Sequence, residues 1–217
     1  STRAAHPDAA ARPAAASATR PGAPTRLSHA AFVTHDTAAL ADFYTRLLGM
    51  ELVNAVLDDQ IPSTGEPVPY FHSFFRMQDG STLAFFEAPE MPKRGPDPHP
   101  AYATFEHFAM QVDTPETVDA WASWLRANGV DVLGPVDHKI IYSIYFHDPG
   151  GLRLEITAPI SPLWNDNVAA AHESLRQWEQ VKEDARTSGT PLTEAVAELG
   201  RQRSHRRGRD VGADGTD

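Results

Sequence analysis

The sequence predicts an α+β fold built from two βαβββ modules, and an internal repeat is the main reason. Twice along the chain, a short apolar segment with one histidine precedes an aspartate beside threonine and then a helical stretch that ends at glycine. The first copy begins at Leu27 and its helix ends at Gly49; the second begins at Phe105 and its helix ends at Gly129. Glycine is common just after a helix because it adopts left-handed backbone angles freely. Such self-similarity indicates two copies of one supersecondary unit.

Apolar side chains at helical spacing predict the helix of each copy. They are Leu40, Phe43, Tyr44 and Leu47 in the first copy, and Val118, Trp121 and Leu125 in the second. Three strand-like segments follow each helix: MELVNAV, FHSFFRM and STLAFFEA in one, VDVLGPV, IIYSIYFH and LRLEITA in the other. Turn residues separate the last two strands of each copy, QDG in the first and DPGG in the second.

The segments outside the repeat differ from it in composition. The start is rich in Ala, Pro and Arg, which predicts a disordered arm, and the Arg-rich end predicts a disordered tail. Between the copies lies a proline-rich linker, and two helical stretches follow the second copy. The predicted boundaries are 1–25 for the arm, 26–160 for the domain (module one 26–90, linker 91–103, module two 104–160), 161–199 for the helical extension and 200–217 for the tail.

Composition and charge exclude several classes of protein. A formal net charge of -10 argues against a general nucleic-acid binder, which needs a positive surface facing phosphates. No apolar run is long enough to span a membrane. The absence of cysteine excludes disulfides, thiolate metal sites and cysteine nucleophiles. We therefore expect a soluble cytoplasmic protein without nucleic-acid or membrane partners.

Two histidines and one glutamate form the candidate metal site. In a strand, alternate residues face opposite sides. His107 in the first strand of module two and Glu155 in its last strand both take the face away from the helix, and His29 holds the position equivalent to His107 in module one. Two imidazoles and a carboxylate suit a divalent first-row metal and leave coordination positions open for substrate.

Three stretches of the sequence resemble the vicinal oxygen chelate superfamily, which includes glyoxalase I, type I extradiol dioxygenases and bleomycin-resistance proteins. They are SHAAFVTHDTAALADFYTRLLGMEL, HFAMQVDTPETVDAWASWLRANGVDVLGP and SIYFHDPGGLRLEI, and the last, an aromatic segment followed by DPxGxxxE, is the most specific. The resemblance implies paired βαβββ modules that form a cupped mixed β-sheet around a metal. It places the ligands on first and last strands, where His29, His107 and Glu155 stand.

Within that superfamily, the residues most resemble an extradiol dioxygenase. Such enzymes use two histidines and a glutamate on Fe(II), which binds a catechol-like diol and O2, and carry a tyrosine ten residues before the glutamate. Tyr145 stands ten residues before Glu155 here. His138 lies near the place of the family's proton-handling histidine, although its spacing differs by a couple of residues. We assign Tyr145 and His138 to catalysis, and His72 and Arg153 to the substrate pocket.

Two alternatives stay open at this point. A glyoxalase I-like lyase or isomerase would use Glu87 as a fourth ligand on Ni, Zn or Co, with Mn a further candidate metal. Against it, aligning the repeats by their terminal Ala-Pro pairs Phe85, not Glu87, with Glu155. The second alternative is a non-catalytic, drug-binding protein, which the three candidate ligands disfavour. Whether the modules pair within one chain or across a homodimer is also open.

Overall fold

The computed structural model describes the backbone of residues 22–213 and the side chains of residues 22–203. The chain divides between Pro96 and Asp97 into two units, and this boundary falls inside the segment that the sequence predicts as a linker. Each unit contains one mixed four-stranded sheet. Both units have the element order βαβββ, which confirms the predicted fold class.

The first unit has a sheet in the order β1-β4-β3-β2, in which β1 runs parallel to β4 and the other neighbours are antiparallel. The helix α1 continues directly into one π-helical turn. The elements are β1 (His29–Val33), α1 (Thr37–Asp42), the π-helical turn (Phe43–Leu47), β2 (Glu51–Asp58), β3 (Tyr70–Arg76) and β4 (Thr82–Glu87).

Aromatic packing joins this helix to its sheet. Asp36 caps the helix, its Oδ1 accepting the N–H of Ala39 at 2.9 Å, which satisfies one of the free donors of the first turn. The predicted apolar face turns inward, and the Tyr44 ring lies 5.2 Å from Phe75 and 5.1 Å from Phe85, measured between ring centroids. All three rings are buried. This core leaves the opposite face of the sheet available for polar side chains.

The second unit repeats the arrangement, with the sheet order β5-β8-β7-β6 and β5 parallel to β8. Its helix begins at a capping threonine followed by proline, and buries Val118, Ala122 and Leu125. A short helix precedes the sheet and two long helices follow it. The elements are α2 (Pro100–Phe105), β5 (Phe108–Gln111), α3 (Pro115–Ala127), β6 (Leu133–Asp137), β7 (Ile141–His147), β8 (Arg153–Pro159), α4 (Val168–Ser188) and α5 (Leu192–Ala213).

Helix α2 corrects two expectations about the linker. Its first four residues fall in the predicted linker 91–103, and Phe105, expected in a strand, is its last residue. Proline at the start of the helix and the His99 Nδ1, which accepts the N–H of Ala101 at 3.1 Å, explain why it forms there. As a consequence, β5 begins only at Phe108, and His107 lies immediately before it.

The C-terminal helices also correct the predicted tail 200–217, because α5 continues to Ala213. Arginine has a high helix propensity, and Glu198 pairs with Arg201 one turn further on. Arg203 anchors α5 on α4 through Ser174 Oγ at 2.9 Å. Residues 214–217 and, of the predicted N-terminal arm, residues 1–21 lie outside the described residues. Over residues 22–213, no helix has the length and apolar character needed to cross a bilayer.

Candidate metal centre

A buried carboxylate lies at the centre of the candidate site. Glu155 is only 2% exposed, and the strand register places it between Ala109 on β5 and Tyr145 on β7. Its Oε2 lies 2.7 Å from Nε2 of His107, and its Oε1 accepts a hydrogen bond of 3.3 Å from the Tyr145 hydroxyl. A buried ionised carboxylate is costly unless a positive charge or strong donors compensate it. The contacts with His107 and Tyr145 are therefore the compensation available to the Glu155 carboxylate within its unit.

The two ring nitrogens of His107 have different contacts, one with a backbone carbonyl and one with Glu155. Nδ1 lies 2.9 Å from the carbonyl oxygen of Phe105, which can only accept, so Nδ1 carries a proton. Nε2 then faces the carboxylate without a proton of its own in the neutral ring. The contact is favourable if a proton or a metal cation lies between the imidazole nitrogen and the carboxylate oxygen. An Nδ1–H donated to a backbone carbonyl is also how metal-binding histidines are commonly oriented. The donor set thus fits a divalent metal.

A tyrosine and a second histidine extend this hydrogen-bonded group. Nε2 of His138 lies 2.8 Å from the Tyr145 hydroxyl, which in turn contacts Glu155. Burial, and secondarily the negative charge of Glu155, raise the pKa of the Tyr145 phenol above its ordinary value. The phenol therefore stays protonated at neutral pH and can act as a donor.

The turn between β6 and β7 fixes the position of His138. The His138 N–H donates to the carbonyl oxygen of Ile141 at 2.9 Å, and Asp137 Oδ1 accepts the N–H of Lys139 at 2.6 Å. Lys139 has a left-handed φ of 72°, which closes this tight turn. The structure thus brings together four residues that the sequence singled out, namely His107, Glu155, Tyr145 and His138.

His29, the third predicted ligand, belongs to the first unit. It is exposed at the start of β1, with Nδ1 3.1 Å from Ser28 Oγ and its ring edge-on to Phe74 at 5.9 Å. Within neither unit do the described residues bring three histidine, aspartate or glutamate side chains together around a metal position. His29 as a ligand therefore stays a prediction from its repeat-equivalent position.

Strand register revises the sequence alignment of the two repeats. Ala31, two residues after His29, pairs with Ala84, whereas Ala109, two residues after His107, pairs with Glu155. The structural equivalent of Glu155 is therefore Ala84, not Phe85 as the terminal Ala-Pro alignment predicted. Module one thus has no carboxylate at the position that carries one in module two.

Glu87, the candidate fourth ligand, has a different contact. Its Oε2 accepts the N–H of Thr37 at 2.7 Å, at the first residue of helix α1. A carboxylate at a helix N-terminus satisfies a free donor and interacts favourably with the helix dipole. By strand alternation Glu87 shares the face of Phe85, which packs against the helix, and not the face of Thr82, the partner of His29.

His72 has an unsatisfied ring nitrogen. Within the described part of the chain its Nε2 is buried without a hydrogen-bond partner, and the ring stacks on Phe86 at 3.5 Å between centroids. Burial, and then the charge of His29, lower the pKa of His72. The lowered pKa favours the neutral imidazole, and its Nε2 is buried.

A cavity of about 390 Å³ opens in the second unit beside Tyr145. Arg153, the other predicted pocket residue, lines it together with Tyr145, Asp131 and Leu133. The Arg153 guanidinium lies over the Tyr145 ring, with Cζ 4.2 Å from the centroid. Tyr145 therefore connects the cavity to Glu155.

Comparison with known proteins now identifies the family. Residues 26–156 match the model of the Glyoxalase/Bleomycin resistance protein/Dioxygenase superfamily. The chain belongs to this superfamily. The match begins before β1, ends inside β8 and includes Glu155. The comparison with curated proteins gave no match.

Solved structures of the same superfamily resemble the chain. A glyoxylase/bleomycin resistance protein/dioxygenase domain from Frankia sp. EAN1pec matches with a TM-score of 0.51 at 14% identity, over 63% of this chain and 99% of that one. A glyoxalase/dioxygenase from Nostoc punctiforme matches with 0.48 at 25% identity, over 68% and 100%. The fosfomycin resistance protein FosX from Listeria monocytogenes, complexed with Mn(II) and sulfate, matches with 0.43 at 20% identity, over 63% and 93%.

The sequence did not predict three features of the candidate metal centre and its surroundings. The Phe105 carbonyl that orients His107 depends on helix α2, for which the His99-Pro100 pair was an available capping signal. The Thr37 contact of Glu87 requires β4 to end beside the start of α1, and no local signal shows this. The cavity brings residues 131–133 beside Tyr145 and Arg153, and no local sequence signal shows this.

Proposed function

We propose that this chain is a metal-dependent enzyme in which His107 and Glu155 hold a divalent ion and His29 supplies the third protein ligand. The observation that carries the proposal is the 2.7 Å contact between Nε2 of His107 and the buried Glu155 carboxylate, with Nδ1 already committed to a carbonyl. A cation shared by the two side chains accounts for this contact without a second proton on the ring. The repeat supports His29, because it stands where His107 stands in the other module.

We propose further that the reaction is of the extradiol dioxygenase type, on a catechol-like or other vicinally oxygenated small molecule. Fe(II), when bound, supplies open coordination positions for two adjacent substrate oxygens and redox chemistry with O2, whereas Ni, Zn, Co or Mn would supply Lewis acidity. The residues that support the dioxygenase assignment over the alternatives are Tyr145 and His138, which lie beside the proposed ligands in a hydrogen-bonded pair.

The proposed roles of these two residues follow from their contacts. When the Tyr145 hydroxyl turns its proton from Glu155 to Nε2 of His138, 2.8 Å away, the imidazole can act as a general base through the tyrosine. A substrate hydroxyl then gives its proton to the Tyr145 oxygen as the tyrosine proton moves to Nε2. The Tyr145 hydroxyl contacts both His138 and Glu155, so it can hold the proton in the network and donate a hydrogen bond to substrate oxygen. Its raised pKa keeps that donor intact. His72, whose ring stacks on Phe86 in the first unit, is proposed to line the substrate pocket.

The isomerase or lyase alternative has less support. It requires Glu87 as a fourth ligand, and Glu87 would first have to release the Thr37 N–H that it holds at 2.7 Å. A purely ligand-binding protein would not need a buried carboxylate beside an oriented imidazole. O2 as co-substrate, a homodimeric assembly and a cytoplasmic location belong to the same proposal.

Metal analysis of anaerobically purified protein, followed by EPR of its nitric oxide adduct, tests the proposal. We expect about one iron per chain and a high-spin iron–nitrosyl signal, which requires an open coordination position. Glu155→Gln should abolish both, and Glu87→Gln, the matched control, should retain both. Binding of nickel, zinc or cobalt with no affinity for iron would reject the dioxygenase assignment and favour the isomerase alternative. Retention of the metal in Glu155→Gln would reject the site.

A further inference from the structure

Arg153 is held in a defined position two residues before Glu155. It is the first residue of β8, and its Nη1 donates to the carbonyl oxygen of Thr104 at the end of helix α2. Its guanidinium also lies over the Tyr145 ring, at 4.2 Å. Because these two contacts fix a long side chain, little further conformational freedom is lost when it binds a ligand.

The charge of Arg153 has no partner among residues 22–203, since no carboxylate there lies within ion-pair distance of it. Arg46, Arg76 and Arg186 each bind a carboxylate directly, whereas Arg126, like Arg153, donates to backbone carbonyls. Asp131 lines the same cavity without pairing with Arg153. A guanidinium presents five N–H donors, and the Thr104 carbonyl occupies one nitrogen. Donors and a positive charge therefore remain available at the wall of a cavity.

The cavity joins this charge to the proposed metal centre. Its volume is about 390 Å³, within the range of small-ligand pockets, and Tyr145 lines it beside Arg153. The hydroxyl of Tyr145 contacts Glu155. Tyr145 thus lines the cavity beside Arg153 and, through its hydroxyl, contacts the proposed metal ligand Glu155.

We propose that Arg153 forms an oxyanion subsite that binds a carboxylate of the substrate. A planar guanidinium matches a carboxylate with two parallel hydrogen bonds, which gives geometric selection as well as attraction. This subsite rests on the proposed function, and it narrows the substrate class to catechol-like molecules that carry a carboxylate. The carboxylate contacts Arg153 and the vicinal oxygens lie toward Tyr145 and the metal ligands.

The test uses benzoate and its neutral isostere benzamide as probes on metal-free full-length protein. Equilibrium titration, followed by the NMR signals of the probe, compares the wild type with Arg153→Gln and with Arg176→Gln, a control on helix α4. We expect benzoate to bind the wild type and the control alike, and Arg153→Gln to bind it about 10-fold or more weakly, since a charged hydrogen-bonded pair is lost. Benzamide should bind all three proteins weakly and equally.

Several outcomes would overturn the subsite. They are no benzoate binding by the wild type, equal affinity for benzoate and benzamide, and unchanged benzoate binding in Arg153→Gln. If Arg153→Gln does not fold, Arg153→Lys replaces it, because lysine keeps the charge but lacks the paired N–H donors of a guanidinium. This variant should bind benzoate more weakly than the wild type, and equal binding would overturn the bidentate contact. Phenylphosphonate as a further probe tests the choice of oxyanion, and tighter binding than benzoate would overturn the assignment to carboxylate.

Failure of the metal site and failure of the subsite give different results. The probes bind metal-free protein, so a protein without iron can still pass this test. Conversely, an iron-loaded protein whose benzoate affinity does not depend on Arg153 rejects the subsite alone.

Discussion

Nε2 of His107 lies 2.7 Å from Oε2 of Glu155, while Nδ1 of the same ring is committed to the carbonyl of Phe105. This geometry makes His107 the compensating partner of a buried carboxylate. In the absence of metal, a proton shared between Nε2 and Oε2 would fill that role. Loss of either partner then affects stability as well as metal binding.

A double-mutant cycle on metal-free protein measures this coupling. His107→Ala leaves the buried Glu155 carboxylate with the Tyr145 hydroxyl alone, and we expect unfolding free energy to fall by about 1–3 kcal/mol. The double variant His107→Ala/Glu155→Ala should be more stable than the sum of the single losses predicts, because no uncompensated charge remains. Urea unfolding at neutral pH provides the four stabilities. Strict additivity would show that the pair is not coupled.

Metal affinity distinguishes the two glutamates that the sequence offers. Glu155→Gln removes the charge of the proposed ligand, and we expect at least a 100-fold loss of affinity for a divalent ion, because ligands must bind in the deprotonated form. Glu87→Gln should change affinity by less than threefold, since the Glu87 carboxylate contacts the Thr37 N–H. Competition titration against a chelator of known affinity measures both. A large loss in Glu87→Gln would restore the four-ligand alternative.

Much of this site was predictable because strand alternation and a short turn are local properties. The DPGG turn between β7 and β8 predicts a hairpin, and hairpin register places Tyr145 opposite Glu155, as observed. The face of His107 follows from the same alternation. These relationships need only sequence spacing.

Other parts depend on non-local contacts or on backbone angles that residue type does not specify. The position of His138 requires Lys139 in a left-handed conformation, which sequence does not indicate for lysine. The pairing of Ala84 with Ala31 is set by hydrogen bonds between strands far apart in sequence, so a shared Ala-Pro ending gave the wrong register. The helical residues 200–213 were predicted as a tail because they have no large apolar residue except Val211, although arginine favours a helix.

His72 predicts a specific dependence of stability on pH. Its pKa is lowered in the folded protein by burial and by His29, so between that value and the ordinary 6.5 the unfolded state binds more protons. Stability is then complete above about pH 6.5 and falls as pH decreases toward the lowered pKa. His72→Phe should remove this decrease, and should add about 1 kcal/mol at neutral pH by eliminating the unsatisfied Nε2. Urea unfolding of both proteins from pH 5 to 8 measures the difference, and parallel curves would contradict it.

Gly134 predicts a steric effect beside the cavity. A Cβ at this position would lie 2.9 Å from the backbone oxygen of Ser143, and φ is +105°. Gly134→Ala should therefore reduce stability by several kcal/mol, since rigid backbone must shift as well as adopt strained angles. Gly129→Ala is the control, because φ there is +78° but no atom lies within 4 Å of the added Cβ. Gly129→Ala should lower the free energy of unfolding by about 1–2 kcal/mol, the cost of left-handed backbone angles at a residue with a Cβ. Equal losses, measured by thermal unfolding, would show that the Ser143 contact relaxes freely.

Tyr145 and Tyr142 lie on the same strand with their hydroxyls on opposite faces, which provides a matched test of the catalytic role. The Tyr145 hydroxyl contacts His138 and Glu155, whereas that of Tyr142 donates to Asp119 Oδ1 on helix α3 at 3.0 Å. For a catechol that the wild-type enzyme converts, Tyr145→Phe should lower kcat by about 10²–10⁴-fold at unchanged metal content. This is the usual contribution of a positioned proton-transfer group. Tyr142→Phe should lose only the modest stability of one hydrogen bond.

The pH dependence of activity provides a further check on Tyr145. Because burial raises the pKa of Tyr145, the wild-type activity that depends on its proton should persist to a pH above 10.0, the ordinary value. Equal kcat values for the two variants would place the catalytic proton elsewhere, whereas a loss confined to Tyr145→Phe would assign it to the hydrogen-bonded pair of Tyr145 and His138.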